Sequence, residues 1–170
     1  MADLDILRGA LGHERWVVGG HSAGADYALA YALTYPERAR AVLYLSGTGV
    51  QDDRQWHAAY EAGRTARCER LPEFAYPFNP EVNRAGNASW RTFIKHPLLL
   101  RRLAALRVPV LAVHGSEDIR PSWPVEQVAN LLPEARFELI AGAEHHLELT
   151  HPEELRSRLR AFLGDLAGKQ

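Results

Sequence analysis

Residues 15–24 read Arg15-Trp16-Val17-Val18-Gly19-Gly20-His21-Ser22-Ala23-Gly24, and an alanine-rich run from Ala25 to Tyr35 follows before Pro36. The apolar run at Trp16 to Val18 is short and continuous, as in a parallel strand covered on both faces. The alanine-rich run, with Leu29, Ala32 and Leu33 on one stripe, reads as a helix over Ala23 to Tyr35 that Pro36 stops. Ser22 therefore sits where a strand turns directly into a helix. A serine on so sharp a turn has its hydroxyl forced out above the sheet. Small residues two before and two after it, Gly20 and Gly24, are expected because larger side chains would clash across the turn. The helix N-terminus places positive dipole and a free backbone N–H beside the hydroxyl. A G-x-S-x-G of five letters also arises by chance; strand before and helix after is what separates this one from chance.

The same rhythm extends outward. Leu4, Ile6, Leu7, Ala10 and Leu11 mark a short first helix closed by Gly12. Ala41 to Leu45 reads as a second buried strand, Pro109 to Val113 as a third and Phe137 to Ile140 as a fourth. Helices are expected over Pro124 to Leu132 and Pro152 to Leu166, with Pro152 in a first-turn position. Strands alternating with helices imply a parallel sheet joined by right-handed crossovers. The stretch Val50 to Arg107 breaks the rhythm. It holds Trp56, Tyr60, Phe74, Tyr76, Phe78, Trp90 and Phe93, four prolines and no clear strand. It reads as an inserted helical cap with irregular connections.

Two further loops follow strands at the carboxyl edge, where open α/β sheets build their sites. His114-Gly115-Ser116-Glu117-Asp118 offers two acids, each as readily a turn or cap residue. Gly142-Ala143-Glu144-His145-His146 offers two imidazoles. A serine hydroxyl is a weak nucleophile until an imidazole takes its proton, and the imidazole needs a carboxylate to fix its tautomer. Zinc is not expected: there is no H-E-x-x-H and no cysteine near the histidines.

Composition bounds the partners. The 170 residues are 46% hydrophobic and 24% charged with a formal net charge of -1, enough for one core and no footprint for nucleic acid or an anionic membrane. The single cysteine, Cys68, excludes an internal disulfide framework and fits a reducing compartment. Met1 to Arg8 lacks the pattern of a signal peptide, and no apolar stretch is long enough to span a bilayer, so a cytoplasmic protein is expected. The sequon at Asn87-Ala88-Ser89 is read as chance.

These motifs together resemble the α/β-hydrolase superfamily and, within it, the proline iminopeptidase-like group. The resemblance runs over nearly the whole chain. It is carried by Leu11 to Trp16 leading into the serine strand and by Ala30 to Arg38 after the serine. Val108 to Gly115 with Asp118, and Gly142 to His145 followed by Pro152 to Leu155, complete it. In that pattern the histidine stands seven residues before the proline, which implies His145 rather than His146. The acid stands three after the glycine, which implies Asp118 rather than Glu117. The order Ser22, Asp118, His145 is the family's order.

The resemblance implies the C-terminal portion of an α/β-hydrolase fold: about four parallel strands, flanking helices and a helical cap insertion. Residues 1–49 would form the nucleophile part of the core, 50–107 the cap, and 108–170 the acid and histidine part. It further implies a serine hydrolase of an ester or N-terminal amide, with Ser22 as nucleophile, His145 as base, Asp118 orienting it and the Ala23 N–H in the oxyanion hole. No metal or organic cofactor is implied, and the partner is a small ester or short peptide. The family's upstream strands, and the His-Gly-Gly-like loop that gives half of its oxyanion hole, have no counterpart here. That departure raises two expectations. The strand at Trp16 to Val18 would be an exposed edge open to a second copy. The alternative to catalysis is an impaired or non-catalytic fragment acting as a binding or partner protein. Within Val50 to Arg107, nine Arg and one Lys against six acids (Asp52, Asp53, Glu61, Glu69, Glu73, Glu81) lean towards ester or anionic substrates.

Overall fold

The computed structural model describes residues 1–69 and 79–168; Glu73, Phe74, Tyr76 and Phe78 of the sequence reading lie outside them. The element order is α1 (Ala2–Ala10), β1 (Trp16–His21), α2 (Ala23–Thr34), β2 (Ala39–Leu45), α3 (Arg54–Ala66), α4 (Pro80–Ile94), α5 (Leu99–Ala105), β3 (Val110–Gly115), α6 (Trp123–Leu131), β4 (Ala135–Ile140), α7 (Leu147–Thr150) and α8 (Pro152–Ala167). All four expected strands are present. They form one sheet in the order β1-β2-β3-β4, every pair parallel. This is the α/β class with flanking helices that the alternation implied.

Parallel strands buried on two faces call for a run of apolar side chains, and β3 supplies one from Val110 to Val113; all six of its residues, His114 and Gly115 included, are buried. Alternation then sorts them. Val110 and Ala112 join Leu29 of α2, Leu103 of α5 and Val125 of α6 in one cluster. Leu111 and Val113 join Leu155 and Phe162 of α8 in the other. The sheet is thus sandwiched by α2, α5 and α6 on one side and α8 on the other.

Among the described residues β1 pairs only with β2, so it is a sheet edge. Its Val18 is buried and Trp16 and Val17 are half-buried. Helix α1 is held by Asp5, which pairs with Arg8 at 3.0 Å, accepts from the Tyr31 hydroxyl at 3.0 Å and pairs with Arg38. Its apolar residues stay outside: Leu4, Ile6, Leu7 and Leu11 are all exposed. No helix among the described residues is long and apolar enough to cross a membrane.

Among the described residues, the stretch from Val50 to Arg107 supplies three helices and no strand. Helices α3 and α4 begin on side-chain caps. Asp53 accepts from the Trp56 N–H, and Asn79 accepts from the Glu81 and Val82 N–H groups. Helix α5 differs from them, because its Leu99 and Leu103 are buried in the core cluster.

Candidate active site

The turn at Ser22 has a steric cause. A Cβ added to Gly20 would lie 2.2 Å from the Gly24 carbonyl carbon and 2.7 Å from the Ala25 nitrogen, far inside contact distance. Only glycine lets the strand end run that close to the first helical turn. Gly24 is different: a Cβ there meets nothing within 4 Å. The need for a small residue on both sides of the serine therefore holds for Gly20 and not for Gly24.

Ser22 itself has φ 55° and ψ -125°, a backbone conformation that L-residues adopt at a cost on the order of 1–3 kcal/mol. It occupies the N-cap of α2, where serine ordinarily accepts a hydrogen bond from its own helix, yet its side chain makes no cap bond. The hydroxyl is not used to finish the helix. The Ser22 carbonyl does that, accepting from the Ala25 N–H at 2.9 Å. Ala23 follows as the first helical residue, and its N–H has no intrahelical acceptor to reach.

Asp118 and His145 meet across the ends of β3 and β4. The Nδ1–H of His145 donates to Asp118 Oδ2 at 2.7 Å, and both residues are buried. Asp118 is further fixed by the Arg120 N–H at 2.8 Å and the Arg120 guanidinium at 3.3 Å, and His114 Nε2 lies 3.4 Å from it. Burial alone would push the Asp118 carboxyl up. The hydrogen bond and charge of His145, the charge of His114 and the Arg120 N–H outweigh it and hold the carboxyl below its ordinary value. His145 is lowered, because burial outweighs the upward pull of Asp118. Its neutral form is thus favoured, with Nδ1 bound to Asp118 and Nε2 without a partner among the described residues.

The serine turn and the histidine loop are tied together. His21, the residue before Ser22, donates from Nε2 to the His145 carbonyl at 2.9 Å, and the two rings lie 4.5 Å apart. All three predicted side chains therefore belong to adjoining loops at one rim of the sheet. Glu117, the rival acid, points elsewhere and pairs with Arg67 at 2.9 Å. His146, the rival base, bonds Glu148 at 2.9 Å. Among the described residues, two clusters have ligand atoms within 4.8 Å of one another, as a metal ion would need: His21 with His146 and Glu148, and Glu69 with Asp118 and His145. The imidazoles in both already have hydrogen-bond partners within the protein.

A cavity of about 450 Å³ opens over Ser22 and Ala23, walled by α2, the loop after β2, α3 and α4. His145, 3% exposed, is not among the residues that line it. The residue that sequence reasoning missed is Asp26, which lines this cavity one turn into α2 and is 2% exposed. It accepts from the Tyr44 hydroxyl, from the Thr48 N–H at 3.1 Å and from the Thr48 hydroxyl at 2.7 Å. Burial, only partly offset by those donors, pushes it up to about 7. A signal was present in the sequence: an aspartate inside an otherwise apolar, alanine-rich helix, where a carboxylate needs a reason.

No protein-family model matches the chain. RutD of Caulobacter sp. (strain K31), provisionally named a carbamate hydrolase, is 26% identical over 189 aligned positions, covering 95% of this chain and 70% of RutD. A thermophilic esterase from Thermogutta terrifontis superposes with a TM-score of 0.67 at 25% identity, over 96% of this chain and 70% of the esterase. The proline iminopeptidase of Mycobacterium smegmatis superposes with a TM-score of 0.69 at 18% identity, again over 96% and 70%.

Proposed function

From the α/β-hydrolase fold that this chain carries, we propose that it is a serine hydrolase acting on a carboxylic ester or an N-terminal amide. The observation that supports this best is the buried 2.7 Å bond from His145 Nδ1–H to Asp118. It fixes the tautomer that leaves Nε2 as a base, in the loop tied to the strained Ser22 turn.

The steps follow from those groups. Ser22 Oγ attacks the carbonyl carbon while His145 Nε2 takes its proton. The electron pair moves onto the carbonyl oxygen, which the Ala23 N–H receives. Collapse expels the alcohol or amine, which takes the proton from His145. Water then attacks the acyl-serine, His145 again taking and returning a proton. Asp118 holds the imidazolium formed at each stage. None of these steps calls on a metal or cofactor. A second copy pairing along the β1 edge belongs to the same proposal; size-exclusion chromatography tests it, and a monomer with β1 unpaired counts against it.

The test of catalysis is covalent labelling. A fluorophosphonate probe is expected to modify Ser22 in folded protein and not its S22A variant. Folded protein that does not label, or an S22A variant that hydrolyses p-nitrophenyl acetate as fast as wild type, would return the chain to a binding role.

A further inference from the structure

Ligand cavities are ordinarily lined by aliphatic and aromatic side chains with a few polar groups. The cavity over Ser22 departs from that rule. Among the described residues its wall contains no Leu, Ile, Val, Met, Phe or Pro; its one aliphatic side chain is Ala23. What remains are aromatic rings that carry a polar atom, such as Trp56 and Trp90, side-chain amides, such as Asn83 and Asn87, and charged groups.

The charged groups are mostly spent on each other. Asp52 bonds His57 at 3.0 Å and pairs with Arg91 at 3.2 Å, while Arg120 pairs with Glu69 and Asp118. Both arginines thus already have an acidic partner. This favours an uncharged ester over the anionic substrate that the basic excess of residues 50–107 also allowed. Asp26 is the acid on the wall with no cationic partner among the described residues. Three donors already fill most of its four acceptor positions, leaving room for about one more. That suits a single hydroxyl better than an ammonium group, which brings three protons and a full charge. An Asp26 raised towards neutrality likewise favours an uncharged partner near pH 7.

We propose that the cavity takes the polyhydroxylated, uncharged portion of an ester, a sugar or similar polyol, with Asp26 and the Asn83 and Asn87 amides reading its hydroxyls. Amides donate and accept in one plane, and so do vicinal hydroxyl pairs. Trp56 and Trp90 offer flat carbon surface for the C–H faces of the ring. An alkyl chain would instead cover these polar groups without meeting their hydrogen bonds.

This inference rests on the serine-hydrolase proposal, and the experiment keeps the two apart. The 170-residue protein is assayed with 6-O-acetylglucose, hexyl acetate and alanine ethyl ester. The sugar ester is expected to exceed each of the others by about tenfold or more in kcat/KM, a difference of one or two hydrogen bonds. The N83L/N87L double variant, altered on exposed positions of α4, is expected to narrow that ratio by at least about threefold while still labelling with fluorophosphonate. D26N is expected to weaken the sugar ester more than hexyl acetate. Labelled protein that prefers hexyl acetate or alanine ethyl ester overturns the inference and leaves the hydrolase reading standing. If folded protein neither labels nor turns over any of the three, the hydrolase reading falls. Calorimetry with 6-O-acetylglucose then decides the inference, and absence of binding overturns it.

Discussion

Helices α2 and α4 differ in length by only three residues, and both border the same cavity, yet they are built on opposite plans. Helix α2 buries eight of its twelve residues, Ala25, Asp26 and Ala28 to Leu33, against the sheet. Helix α4 buries none of its fifteen. The core helix holds Ser22 where the strand ends, and its small side chains let it lie close on β1 and β2. Helix α4 presents Asn83, Asn87, Trp90 and Arg91 to the cavity and touches the core only at its end, where Phe93 and Ile94 are half-buried. On the proposed function, the residues assigned the chemistry are over-determined by packing, whereas those assigned to the substrate can change at little cost to the fold.

The largest effect should come from the rim itself. Asp118→Asn keeps the shape but offers His145 Nδ1 an amide that can present its N–H, favouring the wrong tautomer. The expected loss in kcat is about 10⁴-fold with little change in KM. In the proposed mechanism neutral His145 is the working form, so kcat/KM is expected to rise with pH through its titration. Because burial lowers His145, that rise should be centred below the ordinary histidine value of 6.5. A limb centred above 6.5 would mean that the charge of Asp118 outweighs burial after all.

Asp26 sharpens the comparison from inside α2. Its ordinary value of 3.8 is raised to about 7 in the folded chain. Between those two values the folded state keeps a proton that the unfolded state has lost, so stability falls as pH rises through that window. Above pH 7 the cost is complete and amounts to roughly 4 kcal/mol at most. Asp26→Asn removes the titration while its amide oxygen still accepts from Tyr44. Urea melts of the two proteins from pH 4 to pH 8 should therefore diverge, D26N gaining steadily on wild type. Parallel curves would show that Asp26 stays charged in the fold.

The rim was legible in the sequence because each of its parts has a local cause. Trp16 to Val18 reads as a strand from its apolar run, although the fold leaves Trp16 and Val17 half-buried at the sheet edge, and Pro36 and Pro152 punctuate helices. The choice of Asp118 over Glu117 and His145 over His146 came from spacing within a family pattern; the structure joins the chosen pair by a 2.7 Å bond. The wall of the cavity was not legible. Asp52, Asn83, Trp90 and Asp26 come together from three separate stretches, and nothing periodic marks them. Helix α4 has no buried stripe to set its boundaries, and the short α7 after the histidine loop has neither a side-chain cap nor an apolar repeat to announce it.

Gly20 and Gly24 make a paired test within one turn. Gly20→Ala drives a methyl into the Gly24 backbone, which cannot yield without moving Ser22. A loss of about 2–3 kcal/mol is expected, together with loss of fluorophosphonate labelling. Gly24→Ala meets open space on an exposed helical position and should be neutral or stabilise by up to roughly 1 kcal/mol. Equal effects at both positions would erase the distinction drawn from the turn geometry.

The smallest effect should come from the cap, and there its location matters more than its size. Asn79 caps α4 by accepting from the Glu81 and Val82 N–H groups. Asn79→Ala should cost about 1 kcal/mol, the ordinary value of such a cap. If α4 is bound to the core only loosely, that loss stays local: hydrogen exchange should quicken at α4 amides while those of β2 and β3 keep their protection. Turnover of p-nitrophenyl acetate, too small to need the cap, should change less than about twofold. Faster exchange throughout β2 and β3 would show that α4 and the sheet unfold as one unit. The contrast between a fixed rim and a tolerant wall would then be wrong in energetic terms, however different the two helices are in burial.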